Sequence, residues 1–406
     1  MQTVDPAKIG FDATRLQRID DHLKKYVDDG RLPGWQVQVA RQGEVAHSSS
    51  YGKRDVENDQ PVEDDTIFRI FSMTKPITTV AAMMLYEEGA FELTTPLAEL
   101  IPSYADMRVY EAGNAVKPVT RPATTPIQIR HLMNHTSGLT YGFHHIHVQD
   151  EIYRNNGYEW GVPPGTDLAT ACDAWASMPL RFDPGTKWNY GVSTDVLGRV
   201  VEIASGQTLD VFLKERIFDP LGMKDTSFQV VGDDVDRLAA LYTRGPDGKA
   251  ARIDAFGDAI KKTPDFLGGG GGLASTTADY SQFCEMLRRG GELNGERLIG
   301  NRTLDYMTQN SLPDGKDLQE VGIPLFAETR FDGMGFGLGF SVVMDPIKYG
   351  TVCSAGEFAW GGAASTAFWI DPLEDLTFIF MTQLLPSSTY PLRTELKGLL
   401  YQALID

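Results

Sequence analysis

The chain has 406 residues, of which 42% are hydrophobic and 23% are charged, and this composition is typical of a globular protein. It contains 55 acidic and 37 basic residues, which give a formal net charge of −18. A surface of that sign repels phosphate backbones and anionic lipid headgroups. The composition therefore excludes wholesale disorder and predicts neither a nucleic acid nor a membrane partner.

The cysteines and the N-terminal residues indicate the compartment. Cys172, Cys284 and Cys353 lie far apart, form no CxxC pair and are odd in number, which favours a reducing environment. Residues 1–20 carry several charges and no apolar segment of signal-peptide length, and no run of about 18 apolar residues occurs in the chain. The sequence therefore predicts a cytoplasmic protein, and it leaves the oligomeric state open.

The predicted secondary structure changes along the chain. Apolar residues recur at helical spacing from Leu16 to Tyr26, with Asp12 as the cap and Gly30 as the stop, and predict an amphipathic helix. Residues 90–220 show helical patterns, prolines and long loops without convincing strands. The other predicted elements are strands at 35–41, 44–51, 336–344, 351–357, 365–370 and 376–382, and helices at 72–89, 193–204 and 392–404.

Strand patterns thus lie at both ends of the sequence, and helical patterns lie between them. The simplest architecture is an α+β fold in which one sheet domain, 1–71 with 224–406, carries an inserted and mostly helical domain, 72–223. The active site is expected in the cleft between these two domains.

Ser72-Met73-Thr74-Lys75 is the tetrapeptide with the most chemical content. A serine hydroxyl is a weak nucleophile unless a base removes its proton, and a lysine can do so only when it is neutral. At i and i+3 on one helix the two side chains share a face, and a helix start at Ser72 favours a neutral Lys75 through the helix dipole. The alternative interpretation is a serine cap followed by a solvated lysine. Pro76 is tolerated only in a first turn, so the helix is expected to begin at about residue 72 or later.

Two later segments supply further parts of an acyl-transfer site. A proline-glycine turn over residues 182–190 ends at Tyr190 and precedes a predicted helix. Residues 360–363 read Trp-Gly-Gly-Ala between two predicted strands, where the glycines let a substrate lie against the backbone. A nucleophile, a phenol and a backbone cradle are the three parts that acyl transfer requires.

In order and combination these motifs resemble the serine β-lactamase and penicillin-binding-protein superfamily, and within it the family VIII carboxylesterases, which share the class C β-lactamase fold. The motifs that carry the resemblance lie at residues 72–75, 131–139, 182–190, 268–276 and 360–362. The resemblance implies a β-lactamase/transpeptidase-like fold with a central antiparallel sheet flanked by helices. It implies that Ser72 is acylated and that Lys75 and Tyr190 share the proton transfers. It also implies an oxyanion hole formed by the backbone N–H groups of Ser72 and Ala363.

Two positions depart from the penicillin-recognising pattern. Members that bind β-lactams carry Tyr-x-Asn and Lys-Thr-Gly triplets, where this chain has Val192 for the asparagine and Trp360 for the lysine, followed by Gly361 and Gly362. Val192 cannot hydrogen-bond the amide side chain of a β-lactam, and Trp360 cannot pair with its carboxylate. An aromatic wall favours an uncharged, apolar ester instead. These four residues are therefore the predicted substrate contacts.

The leading prediction is a serine carboxylesterase that hydrolyses short- to medium-chain esters of small molecules through a Ser72 acyl-enzyme, without a cofactor or a metal. An acyltransferase that passes the acyl group to an alcohol is the neighbouring alternative. A β-lactamase or D-amino-acid peptidase is disfavoured by Val192 and Trp360. A catalytically idle binding module is disfavoured because Ser72, Lys75 and Tyr190 are all present.

Several weaker patterns have plainer explanations. The five consecutive glycines at 268–272 lack the Lys-Ser/Thr of a phosphate loop and predict backbone that passes near the active site. All seven histidines lie before residue 150, which excludes a Ser-His-Asp hydrolase with a late histidine, and none forms an HExxH metal motif. His135 is expected to stabilise the turn before Ser137. The aromatic-rich segment 141–160 either lines the cleft or packs in the core.

Overall fold

The computed structural model describes residues 3–405 and contains one large sheet. The strands, in chain order, are β1 (Gly34–Arg41), β2 (Glu44–Asp55), β3 (Gln60–Pro61), β4 (Phe68–Arg69), β5 (Arg108–Gly113), β6 (Pro118–Pro122), β7 (Tyr242–Arg244), β8 (Ala250–Arg252), β9 (Ala274–Ser275), β10 (Glu292–Leu293), β11 (Glu296–Arg297), β12 (Met334–Phe336), β13 (Ser341–Val343), β14 (Phe358–Gly361), β15 (Ala367–Asp371), β16 (Leu376–Met381) and β17 (Leu384–Leu385). The large sheet is antiparallel and has the order β12-β13-β14-β15-β16-β1-β2-β3.

Helices cover both faces of this sheet. The α-helices are α1 (Ala13–Asp28), α2 (Thr74–Glu87), α3 (Ile129–Met133), α4 (Val148–Asn155), α5 (Leu168–Ala176), α6 (Ser193–Ser205), α7 (Leu209–Leu213), α8 (Asp219–Leu221), α9 (Asp254–Gly257), α10 (Thr277–Arg288), α11 (Asn301–Met307), α12 (Leu318–Val321), α13 (Pro346–Tyr349) and α14 (Leu392–Tyr401). Helices α1 and α14 share one hydrophobic core with one face of the sheet, and α2 and α10 share a second core with the other face. The predicted α+β fold class is confirmed.

Strand β16 shows why the sheet joins the two ends of the chain. Every residue of its Leu-Thr-Phe-Ile-Phe-Met run is buried, because helices pack on both faces. Phe378 belongs to the core beneath α1 and α14, whereas Ile379 belongs to the core on the opposite face. On its edges β16 pairs with β15 and with β1, so late and early strands meet there.

The N-terminal helix and its strands form as predicted. The Asp12 side chain accepts the N–H of Arg15 at the start of α1, and the chain turns at Gly30 with φ +76°. Strands β1 and β2 form the expected hairpin through the turn at Gln42 and Gly43. Helix α2 begins two residues after Ser72, within the predicted segment.

Three strand predictions are wrong. Residues 336–344 form not one strand but the hairpin of β12 and β13, because the chain reverses at Gly339, where φ is +86°. Residues 351–357 form a loop, since Gly356 takes a positive φ and β14 begins only at Phe358. The segment 90–220 does contain strands, the two-stranded sheet of β5 and β6, whose prolines concealed the pattern.

Between β4 and β7 the chain consists of helices and loops with the small sheet of β5 and β6, and both flanking regions contribute strands to the large sheet. The division into 1–71 with 224–406 and 72–223 stays a prediction. Over residues 3–405, no helix combines the length and the apolar character needed to cross a bilayer.

Candidate active site

Ser72 lies in a turn that leads directly into α2. Residues Phe71–Met73 form a 3-10 turn and α2 begins at Thr74, so Lys75 lies in the first turn of the helix. Phe71 has a φ of +43°, a backbone conformation that L-residues rarely adopt, and it therefore makes the turn sharp. The distance from Lys75 Nζ to Ser72 Oγ is 3.2 Å. The predicted spacing brings the two side chains into hydrogen-bonding contact.

The surroundings of Lys75 favour its neutral form. The residue is only 2% exposed, and its Nζ also donates to the backbone carbonyl of Gly270 at 2.6 Å. Burial lowers the pKa of Lys75 to about 8, while the carboxylates of Asp195 and Glu328 act in the opposite direction. A lysine with this pKa is neutral in a substantial fraction of molecules near pH 8 and can accept a proton from Ser72.

Tyr190 packs against the same ammonium group. Its ring is 1% exposed, and the ring centroid lies 4.6 Å from Lys75 Nζ. Within residues 3–405 its hydroxyl forms no hydrogen bond of normal geometry, although Ser72 and Trp360 lie close enough to affect its pKa. Burial raises the pKa of Tyr190 well above its usual value and the charge of Glu328 adds to this rise, whereas Ser72 and Trp360 oppose it. The phenol therefore carries its proton at neutral pH.

Trp360 forms an aromatic wall beside this phenol. It lies in β14, is 2% exposed, and its ring centroid is 5.4 Å from that of Tyr190 and 5.2 Å from that of Phe336. Val192, also buried, occupies the position that precedes α6. Apolar side chains thus stand at both positions where β-lactam-recognising proteins have polar groups.

Two glycines at the end of β14 let the strand approach its neighbours closely. A Cβ at Gly362 would collide with the carbonyl oxygen of Ile70, which precedes the turn that carries Ser72. A Cβ at Gly361 would collide with the guanidinium of Arg393. The glycines therefore bring the strand end and the Ser72 turn together.

The turn after these glycines carries Ala363. The N–H of Ser365 donates to Gly362 O at 3.0 Å, and the N–H of Gly362 donates to Thr366 O at 2.9 Å. Within the described part of the chain, the backbone N–H groups of Ser72 and Ala363 donate to no acceptor. The oxyanion hole formed by these two groups stays a prediction.

A partly buried ion pair holds that turn, and the sequence analysis missed it. Arg393 Nη2 donates to Glu328 Oε2 at 2.6 Å and to the carbonyl oxygens of Gly362 at 3.1 Å and Thr366 at 2.9 Å. The Glu328 side chain is fully buried. Neither partner belongs to a recognisable motif and they lie far apart in the sequence, so no sequence signal could have found the pair.

Asp195 is a second carboxylate that the sequence analysis missed. It lies in the first turn of α6, is 6% exposed, and its Oδ1 accepts the N–H of Gly270 at 2.9 Å. Thr78 Oγ1 holds the preceding glycine by donating to Gly269 O at 2.8 Å. The glycine loop runs beside Lys75, as predicted, and α6 and α2 both anchor it.

Aromatic rings lead from the site toward solvent. Successive ring centroids, starting from Tyr190, are separated by 5.5, 4.8, 5.1, 6.5 and 6.4 Å. We call this series the aromatic arc, and its members are Tyr141, Phe143, Trp160, Phe256 and Phe71. Trp160 is 64% exposed and Phe256 is 39% exposed, so the outer part of the arc is open to solvent. Because Phe71 adjoins Ser72, the arc begins and ends at the candidate site.

The histidines have separate roles. His135 takes part in the predicted turn with a φ of +56°, and its ring lies 4.9 Å from that of Tyr190. Burial, helped by the charge of Lys75, lowers the pKa of His135 well below its usual value, so the ring is neutral. His144 Nε2 lies 2.9 Å from the carbonyl oxygen of Tyr190. Among the described residues, no three His, Cys, Asp or Glu side chains are grouped to bind a metal ion.

The fold, with its Ser-x-x-Lys turn beside an antiparallel sheet, defines the class of β-lactamase-like serine hydrolases. The model of the Beta-lactamase family matches residues 19–402, and the chain belongs to this family. An uncharacterized protein of Mycobacterium tuberculosis (strain CDC 1551 / Oshkosh) is 33% identical over 368 residues, which are 90% of this chain and 89% of that protein.

Two further relatives have names that describe an activity. Esterase EstB of Burkholderia gladioli is 29% identical over 398 residues and covers 94% of this chain and 93% of its own. The solved structure of EstCE1, described as a hydrolase with promiscuous acyltransferase activity, superposes with a TM-score of 0.80 at 25% identity and covers 97% of this chain and 98% of its own. The resemblance to family VIII carboxylesterases is confirmed, and the chain is a serine hydrolase with esterase relatives.

Proposed function

We propose that this protein is a carboxylesterase that hydrolyses uncharged, short- to medium-chain esters through an acyl-enzyme on Ser72. The observation that carries the proposal is the contact of Ser72 Oγ with Lys75, a buried lysine of lowered pKa. Ser137 and Ser193 are fully buried, and their hydroxyls hydrogen-bond one another at 2.8 Å. Neither is therefore a competing nucleophile.

The proposed acylation moves one proton from the nucleophile to the leaving alcohol. Neutral Lys75 takes the proton of Ser72 Oγ as this oxygen attacks the ester carbonyl carbon, and the negative charge that develops on the carbonyl oxygen accepts N–H donors from Ser72 and Ala363. As the C–O bond breaks, Tyr190 gives its proton to the departing oxygen and regains one from Lys75. Deacylation repeats these steps with water as the nucleophile, which releases the acid and restores Ser72.

The proposed specificity for uncharged esters rests on the apolar wall and on the ion pair behind it. Trp360 and Val192 offer no charge to a substrate carboxylate, and the nearby cation of Arg393 already pairs with Glu328. A buried carboxylate without a partner costs several kcal/mol, whereas an apolar wall stabilises an acyl chain by about 0.8 kcal/mol per buried methylene. The esterase names of the relatives support the same substrate class.

Acyl transfer to an alcohol is the second candidate, and the aromatic arc favours it. The arc gives an apolar alcohol a surface to bind between solvent and Ser72, where the alcohol competes with water for the acyl-enzyme. The description of EstCE1 as a hydrolase with promiscuous acyltransferase activity agrees with this candidate.

One panel of assays separates these activities. The protein is given p-nitrophenyl butyrate and a chromogenic cephalosporin, each with and without a competing apolar alcohol, and an organophosphonate adduct is mapped by mass spectrometry. We expect rapid ester turnover, transesterified product when alcohol is present, and the adduct on Ser72. An adduct on Ser137 or Ser193, or cephalosporin turnover equal to ester turnover, would overturn the proposal.

We also propose that the protein acts on small molecules in the cytoplasm. Its three cysteines are all free, Cys172 and Cys284 being buried and Cys353 half-buried, which suits a reducing compartment. Fractionation of the source cells with an antibody against the chain tests this location, and recovery outside the cytoplasmic fraction would contradict it.

A further inference from the structure

Asp195 is linked to the proposed base, Lys75, through the backbone of a single residue, Gly270. Its Oδ1 accepts the N–H of Gly270 at 2.9 Å, and the carbonyl oxygen of the same glycine accepts Lys75 Nζ at 2.6 Å. The backbone of Gly270 thus connects a buried carboxylate to the ammonium group that touches Ser72 Oγ. This arrangement has the form nucleophile, base and orienting group, with a backbone residue inserted between the last two.

We propose that Asp195 is the positioning residue for Lys75. It fixes Gly270 so that the glycine carbonyl holds Lys75 Nζ beside Ser72, and it supplies the negative charge that offsets the ammonium each time Lys75 takes up a proton. This inference rests on the proposed function, in which Lys75 is the base.

The packing around Gly270 supports a positional role. A Cβ at this glycine would lie 2.5 Å from Asp195 Oδ2, so the carboxylate packs directly on the backbone. At Gly271, the next residue, the nearest atom to a Cβ would be 3.7 Å away, which is ordinary contact. A Cβ would also collide at Gly268, Gly269 and Gly272, but Gly270 is the glycine of this loop whose three nearest atoms all belong to the Asp195 carboxylate.

The charges around the pair assign the counter-ion role to Asp195 rather than to Glu328. Both carboxylates raise the pKa of Lys75 against the effect of burial. Glu328 already forms an ion pair with Arg393. Among the described residues, Asp195 forms no ion pair with any arginine. Burial raises the pKa of Asp195 above its usual value, and the cation that opposes this rise is Lys75. A protonated Lys75 therefore finds its unpaired negative partner in Asp195.

Other titratable groups face the two residues but add no second cation. The rings of Tyr190 and Tyr141 lie 4.6 Å and 5.4 Å from Lys75 Nζ, and burial keeps both phenols protonated. His135 is neutral, because burial lowers its pKa. On the side of α5, burial raises the pKa of Cys172 well above its usual value and Asp195 adds to this rise, so that thiol is protonated.

The test is the pH dependence of kcat/KM for p-nitrophenyl butyrate in Asp195→Asn. Asparagine keeps an oxygen for the Gly270 N–H and removes the charge. Because that charge raises the pKa of Lys75, its loss lowers this pKa, and the acidic limb of the profile moves to lower pH by about one unit, while plateau kcat falls roughly tenfold. Asp279→Asn is the matched control, since Asp279 is another buried first-turn carboxylate and accepts a backbone N–H from Asp225 at 2.7 Å.

A second pair of variants separates geometry from charge. Gly270→Ala drives a methyl group against Asp195, and we expect kcat to fall at least tenfold, whereas Gly271→Ala meets no atom closer than 3.7 Å and should lose clearly less. If Asp195→Asn does not fold, this pair still decides the proposal.

Each result has a defined meaning. An acidic limb that stays in place in Asp195→Asn, or equal kcat in the two glycine variants, would overturn the role of Asp195. Loss of the proposed function looks different, because the wild-type protein would then lack ester turnover or Ser72→Ala would retain it.

Discussion

Replacing Tyr190 with phenylalanine should separate catalysis from stability. The Tyr190 side chain is fully buried, and within residues 3–405 its hydroxyl forms no hydrogen bond of normal geometry. The substitution therefore removes no well-formed protein hydrogen bond and leaves the ring contacts with Trp360 and His135 in place. It does remove the proton that the proposed mechanism transfers to the leaving alcohol.

The magnitudes of the two effects differ widely. A buried polar group without a partner costs about 1–3 kcal/mol, so Tyr190→Phe should leave the free energy of unfolding unchanged or raise it by about 1 kcal/mol. A positioned proton carrier contributes roughly 10²–10⁴ in rate, and kcat should fall by that factor. Urea unfolding and the initial rate on p-nitrophenyl butyrate measure the two quantities on the same preparation.

Two other tyrosines provide the controls. Tyr104 is buried with an unpartnered hydroxyl but lies outside the candidate site, so Tyr104→Phe should keep both stability and kcat. Tyr280 donates to the carbonyl oxygen of Met73 at 3.0 Å, so Tyr280→Phe should lose about 1 kcal/mol of stability. The reasoning is refuted if Tyr190→Phe keeps wild-type kcat, or if it destabilises the protein as much as Tyr280→Phe does.

Three further predictions follow from the site. kcat/KM should rise with pH through about 8, since Lys75 acts as a base only when it is deprotonated. Lys75→Arg should be inactive, because guanidinium keeps its proton. A flat pH profile of the unmodified protein, measured from acid to alkaline pH, would contradict this. Trp360→Lys should weaken turnover of neutral esters and at best produce feeble cephalosporin hydrolysis, because Val192 still lacks an amide-binding group. Parallel assays on both substrates would disprove the argument if the unmodified protein already preferred the cephalosporin. Gly362→Ala should lower the free energy of unfolding in urea by about 1–3 kcal/mol and impair catalysis, because its methyl group meets the Ile70 carbonyl. Wild-type stability and kcat in this variant would show that the turn can move to accommodate the methyl group.

Local sequence patterns correctly predicted the helices and strands that are buried on one face or on both faces. Helix α1 has a clear cap and helical periodicity, and β16 is an apolar run of strand length, so both were found. The hairpin of β12 and β13 was read as one strand because its apolar residues continue through the reversal at Gly339. Whether a glycine bends a chain depends on what packs against it, and a single sequence does not contain that information.

The candidate site likewise contains some contacts that the sequence predicted and others that it did not. Ser72 and Lys75 are neighbours on one turn, so their spacing alone predicted the contact. Tyr190 and Trp360 were found through short motifs. The pairing of Arg393 with Glu328 and the bond of Asp195 to the glycine loop depend on tertiary packing, and no local pattern marks them. The sequence also did not show which rings of segment 141–160 face solvent. Trp160, in the middle of the arc, is exposed, whereas Tyr141, next to Tyr190, is half-buried.

The position of β16 between β15 and β1 has a consequence for how the protein is made. A nascent chain that has not yet synthesised β16 leaves one edge of β1 unpaired, and its early strands β1 and β2 lack the strand that joins them to β12–β15. That open edge presents unpaired backbone N–H and C=O groups, and β1 is buried along its whole length in the finished sheet, so the edge can pair with other chains. Completion of the enzyme therefore depends on a late closure between strands that are distant in the sequence, and growing chains are exposed to aggregation until this closure occurs.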